Sequence, residues 1–306
     1  MSQTTTNTIN KKKKTSTSEF GVSGRFGHDS SKFYNSKLYD NIELVDVQQD
    51  NSTISNDLLN KLYCSDSRQM SNIPDNSLHL MITSPPYNVS KEYDDDLSLD
   101  EYLNLLKDVF SETYRVLIPG GRACINIANV GRKPYIPLTS YINKIMLDIG
   151  FLMRGEIIWN KAASSGGSCA WGSWMSASNP TLRDVHEYIL IFSKGNFNRK
   201  ESKKNNTISR DEFLEYTKSI WTFNTVSAKK IGHPAPFPEE LPRRLIQLYS
   251  YENDIVLDPF CGSGTTCISA KKNNRFYVGF DINPDYINLA QKRLEQEFMQ
   301  QKINLK

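Results

Sequence analysis

The sequence predicts an α/β fold: a doubly wound, mostly parallel sheet of seven strands with helices on both faces. Three observations predict it. Short apolar runs alternate with amphipathic stretches along the chain, the pattern of buried strands joined by crossover helices. The two clearest runs, LHLMI and DIVLD, break off into turns rich in Pro or Gly, as strands of an open sheet do at the edge where ligands bind. Finally, 306 residues with 38% hydrophobic content suffice for one sizeable core carrying insertions.

Residues 1–30 are rich in Ser, Thr, Asn and Lys and include the run Lys11 to Lys14. Such a segment buries too little apolar surface to offset its ordering entropy, so a disordered polar, basic tail is expected. The lysines could touch phosphates, although blocks of like charge are often only solvated. Residues 31–306 are expected to form one catalytic domain, with Phe33, Tyr34, Leu38 and Tyr39 docking the connecting stretch. Strands are expected at 60–64, 79–83, 122–127, 153–159, 186–193, 254–258 and 275–280. Helices are expected where apolar residues recur at helical spacing, at Leu99, Tyr102, Leu103, Leu106, Val109, Phe110, Tyr114 and Leu117, and at Leu241, Leu245, Leu248 and Tyr249. Two segments break the rhythm: 162–184, dense in Gly, Ser, Trp and Asn, and the basic stretch 195–231. Loops this long are functional or disordered.

Composition excludes several classes. The net charge of +3, from 37 basic and 34 acidic residues, does not by itself announce a polyanion partner. The five cysteines form no CxxC pair, so neither a metal site nor a disulfide framework is expected, and a reducing, cytoplasmic setting fits best. No apolar run approaches the ~20 residues that span a bilayer, and the amino terminus lacks a secretory apolar core.

The sequence DIVLDPFCGSGTT reads as a strand, a glycine turn and a helix start. Gly262 and Gly264 let a ligand approach the main chain closely. Asp281, at the end of the next strand, stands where a nucleotide-binding unit places its ribose acid. The turn lacks GxGxxG spacing and no GxxxxGK[ST] is present, so an adenosine ligand without a pyrophosphate fits better than a dinucleotide. A purely structural turn stays open, as does a helix-capping role for Asp281 near Pro284.

Thr83 to Asn88 read TSPPYN. Consecutive prolines lack N–H groups and have fixed φ, so the chain stiffens and leaves the ladder. An exocyclic amino group is a poor nucleophile because its lone pair is delocalised into the ring. Acceptors on its two N–H bonds, the Ser84 side chain and the Pro85 carbonyl, would draw it toward tetrahedral geometry. Pro86 stiffens the corner, and Tyr87 offers a face for an extruded base, worth ~1–3 kcal/mol of stacking. The plain alternative is a rigid turn with Tyr87 packed in the core.

Together, DPFCGSGTT, TSPPYN and HPAPFPEELPRRLI (His233 to Ile246) resemble the amino-group DNA methyltransferases. The catalytic tetrapeptide precedes the cofactor turn, the order of the circularly permuted beta class. The resemblance covers roughly residues 60–300. It implies the Rossmann-like S-adenosylmethionine-dependent methyltransferase fold in permuted form, with an inserted target-recognition region. It implies S-adenosylmethionine held by Asp258, Pro259, Phe260, Gly262, Ser263, Gly264 and Thr265, with Asp281 on the ribose, Asp66 at the adenine amino group, and Phe237 and Pro238 closing over the cofactor. Asp66 could instead be a turn or helix cap.

Within the resembled family Ser before PPY is commoner in cytosine-N4 enzymes, so N4 of cytosine in duplex DNA is the expected target and N6 of adenine the alternative. An RNA or protein amide substrate is a further rival. Cytosine C5 chemistry needs a thiolate, usually after a proline; no Pro-Cys pair occurs, and Cys261 reads as packing. DNA contacts are expected from Asn88, Lys161, Trp171, Trp174 and Arg183 and from the basic stretch Lys194 to Lys230. A cognate restriction endonuclease and a homodimer stay open.

Overall fold

The computed structural model describes residues 16–17, 25–26, 36–39, 47–48, 51–87, 97–161, 172–199, 204–227 and 237–304. The chain divides into two units, Met1–Leu44 and Val45–Lys306. In the first, Ser16–Thr17 pairs antiparallel with Arg25–Phe26, and Lys37–Tyr39 forms a short 3-10 turn. The strand pair falls within residues 1–30, expected to be a disordered tail, and the 3-10 turn falls within the stretch expected to dock through its aromatics.

Among the described residues, the second unit carries eight strands in one sheet. In chain order they are β1 (Lys61–Cys64), β2 (Leu78–Thr83), β3 (Leu117–Ile127), β4 (Phe151–Asn160), β5 (His186–Lys194), β6 (Ile220–Thr222), β7 (Ile255–Asp258) and β8 (Phe276–Asp281). Their spatial order is β6-β4-β5-β3-β2-β7-β8-β1. All neighbours pair parallel except β5, which runs antiparallel to both β3 and β4. The seven expected strands are all present. The eighth, β6, adds to the edge beside β4 and comes from the stretch 195–231 that had been expected to be a loop.

Side chains alternate across the sheet as a pleat requires. Ala123, Ile125 and Ile127 of β3 face one core with Tyr102, Leu106 and Phe110 of α1 (Leu99–Val116) and Ile142 and Met146 of α2 (Leu138–Ile149). Cys124 of β3 and Leu80 and Ile82 of β2 face the other, with Tyr216 of α3 (Arg210–Tyr216), Leu241 and Leu245 of α4 (Glu240–Tyr249) and Ile268 of α5 (Thr265–Lys272). The last helix, α6 (Pro284–Asn304), adds Ala290 and Leu294 to the buried set. Helix starts are sequence-encoded: Ser98 with Glu101, and Ser209 with Glu212, form complete capping boxes on α1 and α3. Among the described residues no helix is long and apolar enough to cross a membrane.

The switch in winding direction falls between β2 and β7, where an open sheet leaves a crevice at its carboxyl edge. β2 runs into Ser84–Tyr87 and β7 into the glycine turn, so both motifs leave the sheet side by side.

Candidate active site

One hydrogen bond joins the two motifs: the buried Thr83 Oγ1 donates to Asp258 Oδ1 at 2.7 Å, across 175 positions of sequence. Asp258 also accepts from Phe260 N at 3.2 Å, so this carboxylate fixes the first bend of the turn as well as the end of β2. Burial pushes its pKa up to about 6, against the Thr83 and Phe260 hydrogen bonds. Between an unfolded value of about 4 and that folded value, the folded chain keeps a proton that the unfolded chain releases. Raising the pH through this window therefore removes stability. Asp258→Asn, which keeps an acceptor oxygen without the charge, is expected to gain stability relative to the wild type as pH rises from 5 to 7.5, by about 1.4 kcal/mol. Urea midpoints across that range check it.

The glycine turn takes the form its letters require. Gly262 and Gly264 adopt φ of 47° and 77°, and a Cβ on Gly264 would lie 2.8 Å from Ala290 Cβ of α6. Gly262 N donates to Asp281 Oδ2 at 2.9 Å, and Asn283 N donates to Asp281 Oδ1 at 2.9 Å. Asp281 thus ties the turn to the end of β8, while Asn283 Oδ1 takes the Asp285 N–H at the start of α6. Burial raises the Asp281 pKa, against these two N–H bonds. Pro259, Ser263 and Thr265 are buried and Phe260 is half-buried. Arg293 donates to the Ser263 carbonyl and to Thr265 Oγ1. Phe237 is half-buried against the α4 core and Pro238 is buried. A left-handed glycine turn beside two carboxylates fits a cationic ligand carrying ribose hydroxyls.

Asp66 follows β1 on the same edge, where Ser65 N donates to Asp281 O. Its carboxylate is engaged locally: Oδ2 accepts from Arg68 Nε and Nη2 at 2.9 and 2.6 Å, and Oδ1 from Arg68 N. A polar cleft of about 580 Å³ is lined by Asp66 together with Arg68, Gln69, Asp108, Ser111 and Glu112, and not by the glycine turn.

The Ser-Pro-Pro-Tyr corner is held from three sides. Tyr102 of α1 donates to the Pro86 carbonyl at 2.7 Å. Tyr87 is half-buried, and its hydroxyl donates to Glu187 Oε2 at 3.3 Å. Burial first, then the charge of Glu187, raise its pKa well above the ordinary phenol value, so the hydroxyl stays neutral. Asn126, at the end of β3, donates from Nδ2 to Glu187 Oε2 at 2.6 Å and lies 3.5 Å from Ser84 Oγ. Sequence reasoning missed Tyr102, Asn126 and Glu187 as site residues. Glu187 sits at the start of β5, and only the antiparallel direction of that strand brings it to the edge where the parallel strands end.

The expected DNA-contacting residues are divided. Asn88 and Trp171 lie outside the described residues, as does 162–170. Trp174 is 67% exposed, and Arg183 is exposed in the same segment, whose Gly172 and Pro180 form a bridge. Lys161 is ion-paired instead with Glu187, Nζ to Oε1 at 2.6 Å, so its charge is engaged beside the corner. The basic stretch needs a larger correction. Lys194 is 7% exposed and donates to Leu117 O and Asn76 Oδ1. Arg199 and Lys204 pair with the buried Asp254, at the end of β7 away from the glycine turn. Trp221 of β6 is fully buried. Much of this segment therefore completes the fold, because its cations meet internal carboxylates and carbonyls that composition cannot reveal.

Comparison with known proteins agrees with this geometry. A family model described as DNA methylase, covering N6- and N4-methyltransferases, matches residues 78–292. The Type II methyltransferase M.MjaI of Methanocaldococcus jannaschii is 32% identical over 298 residues, covering 80% of this chain and 96% of that protein. M.HpaI of Haemophilus parainfluenzae, also a Type II methyltransferase, is 35% identical over 260 residues, covering 78% and 75%. Among solved structures, TTHA0409 of Thermus thermophilus, a candidate DNA modification methylase complexed with S-adenosyl-L-methionine, superposes with a TM-score of 0.63 at 29% identity, covering 78% of this chain and 93% of that one. The methyl donor of the family is S-adenosylmethionine. With the match running from β2 through the Ser-Pro-Pro-Tyr corner and the glycine turn into α6, the chain belongs to the N6/N4 DNA methylase family.

Proposed function

We propose that the protein methylates N4 of cytosine in duplex DNA at a specific sequence, with S-adenosylmethionine as donor and direct transfer to a base turned out of the helix. The observation that carries the reading is the Thr83–Asp258 hydrogen bond, because it sets an acceptor corner beside a cofactor turn on adjacent strands. When bound, the cofactor supplies an electrophilic sulfonium methyl. Gly262 and Gly264 admit it against the backbone, Asp281 accepts from its ribose, Phe260, Ser263 and Asp258 bound its methionine end, and Phe237 and Pro238 cover it. Asp66 serves its adenine amino group after turning from Arg68. Ser84 Oγ and the Pro85 carbonyl take the two N–H bonds of the target amino group and restore its lone pair. Tyr87, its hydroxyl anchored, stacks on the extruded base. Trp174 and Arg183, with Asn88 and Trp171, meet the opened duplex. Ser84 is the feature that favours cytosine.

The test is methyl transfer from labelled cofactor to plasmid DNA, followed by nucleoside digestion and mass spectrometry. The expected product is 4-methylcytosine. Methylated adenine instead would move the target to N6, and label in RNA or protein with none in DNA would overturn the reading. Ser84→Ala is expected to lower turnover about 10- to 100-fold while cofactor affinity stays within about twofold.

A further inference from the structure

We propose that Glu187 is a positioning residue of the amino-group pocket, acting through Asn126 and Tyr87; this rests on the function proposed above. Three other chain segments converge on its carboxylate, which is 15% exposed. Oε2 takes the Asn126 amide at 2.6 Å and the Tyr87 hydroxyl at 3.3 Å, and Oε1 faces the Lys161 ammonium at 2.6 Å. A carboxylate is acceptor-only, so it dictates which way an amide beside it points. The NH₂ of Asn126 must face Glu187, and its carbonyl oxygen must face elsewhere. That oxygen, Asn126 Oδ1, is buried with no hydrogen-bond partner among the described residues. A buried acceptor without a partner carries a cost, and here it is one that the orientation imposed by Glu187 maintains.

What Glu187 fixes is therefore the orientation of an amide whose donor end lies next to the corner. Ser84 Oγ lies 3.5 Å from Asn126 Nδ2, so the amide that Glu187 orients stands beside the serine that meets the amino group. The same carboxylate anchors the stacking ring of Tyr87 at its hydroxyl. A donor-bearing side chain in place of Glu187 would let the Asn126 amide turn over and would release Tyr87. The ammonium of Lys161 balances the buried charge without entering the acceptor set.

Glu187→Gln keeps shape and removes the charge; Glu187→Asp keeps the charge and withdraws it by about one methylene. In single-turnover methylation of a plasmid, with cofactor affinity and thermal midpoint measured alongside, both are expected to slow transfer about 10- to 100-fold. Cofactor Kd should stay within about twofold. Tyr87→Phe combined with Glu187→Gln should be less than multiplicative, because the two changes remove one shared interaction. Wild-type transfer rates in Glu187→Gln, losses that only track cofactor affinity or melting, or fully multiplicative effects with Tyr87→Phe would each overturn the assignment. A wild-type protein that methylates no DNA would instead overturn the function on which the assignment rests.

Discussion

Replacing Asp254 with alanine is expected to destabilise the fold by about 3–5 kcal/mol, the scale for leaving a buried charge without its partner. Asp254 is fully buried. Its Oδ2 accepts from Arg199 Nη1 at 2.5 Å and from Tyr251 N at 2.8 Å, and its Oδ1 from Lys204 Nζ at 3.1 Å and Arg199 Nη2 at 3.2 Å. His79 Nε2 stands 3.6 Å away, and its Nδ1 accepts from Ile255 N. Arg199, only 7% exposed, would lose its counter-charge in the variant. Burial works to raise the Asp254 pKa, but the Arg199 hydrogen bond and the nearby positive groups hold it below the ordinary carboxylate value. The sign follows: its contribution is present above the unfolded pKa of about 4 and is lost as pH falls through the lower folded value. Urea unfolding of wild type and Asp254→Ala at pH 7 should show the full difference, and the gap should narrow as the solution is acidified below pH 4. A difference under about 1 kcal/mol at pH 7 would show that the cluster is not what fixes the start of β7.

Why that cluster escaped the sequence is a matter of distance along the chain. Arg199 and Asp254 are 55 positions apart, and a basic stretch reads the same whether its partners are phosphates or a buried carboxylate. The central strands were legible for the opposite reason. β2 and β7 are covered on both faces, so their apolar runs are nearly continuous and end at conspicuous Pro and Gly turns. Helical spacing of apolar residues marked α1 in the same local way. β6, three residues at the edge, is too short to show a period, and its identity depends on pairing with β4.

The site divides along the same line. Ser84, Tyr87, Gly262 and Asp281 could be named from the sequence because each sits in a short motif whose backbone requirement is local. Glu187, Asn126 and Tyr102 were not, because their places depend on strand direction and on a helix packed across the sheet. Asp66 shows the limit from the other side: its position at the edge was legible, but its pairing with Arg68 two residues on was not.

Asp281→Ala is expected to weaken S-adenosylmethionine binding by about 2–3 kcal/mol, roughly 30- to 150-fold, the scale of losing hydrogen bonds to one charged acceptor together with the order it imposes on a turn. Each of its oxygens already holds a backbone N–H, from Gly262 and Asn283, so removing the carboxylate frees the turn as well as any ribose contact. Asp281→Asn offers one acceptor where two N–H groups converge, and its NH₂ would face a second donor; it should therefore lose most of the same affinity. The binding form is the ionised one and burial raises the pKa of this group, so wild-type cofactor affinity should decline on acidification from above the ordinary carboxylate range. Asp281→Asn should flatten that decline. Titration calorimetry across pH, for wild type and both variants, reads all three effects. At saturating cofactor the Asp281→Ala enzyme should regain much of its turnover, since the Thr83–Asp258 bond that sets the catalytic corner is untouched. Ser84→Ala should show the opposite pattern. If Asp281→Ala bound cofactor normally and lost turnover instead, the acid at the end of β8 would belong to the acceptor corner and the glycine turn would need another partner.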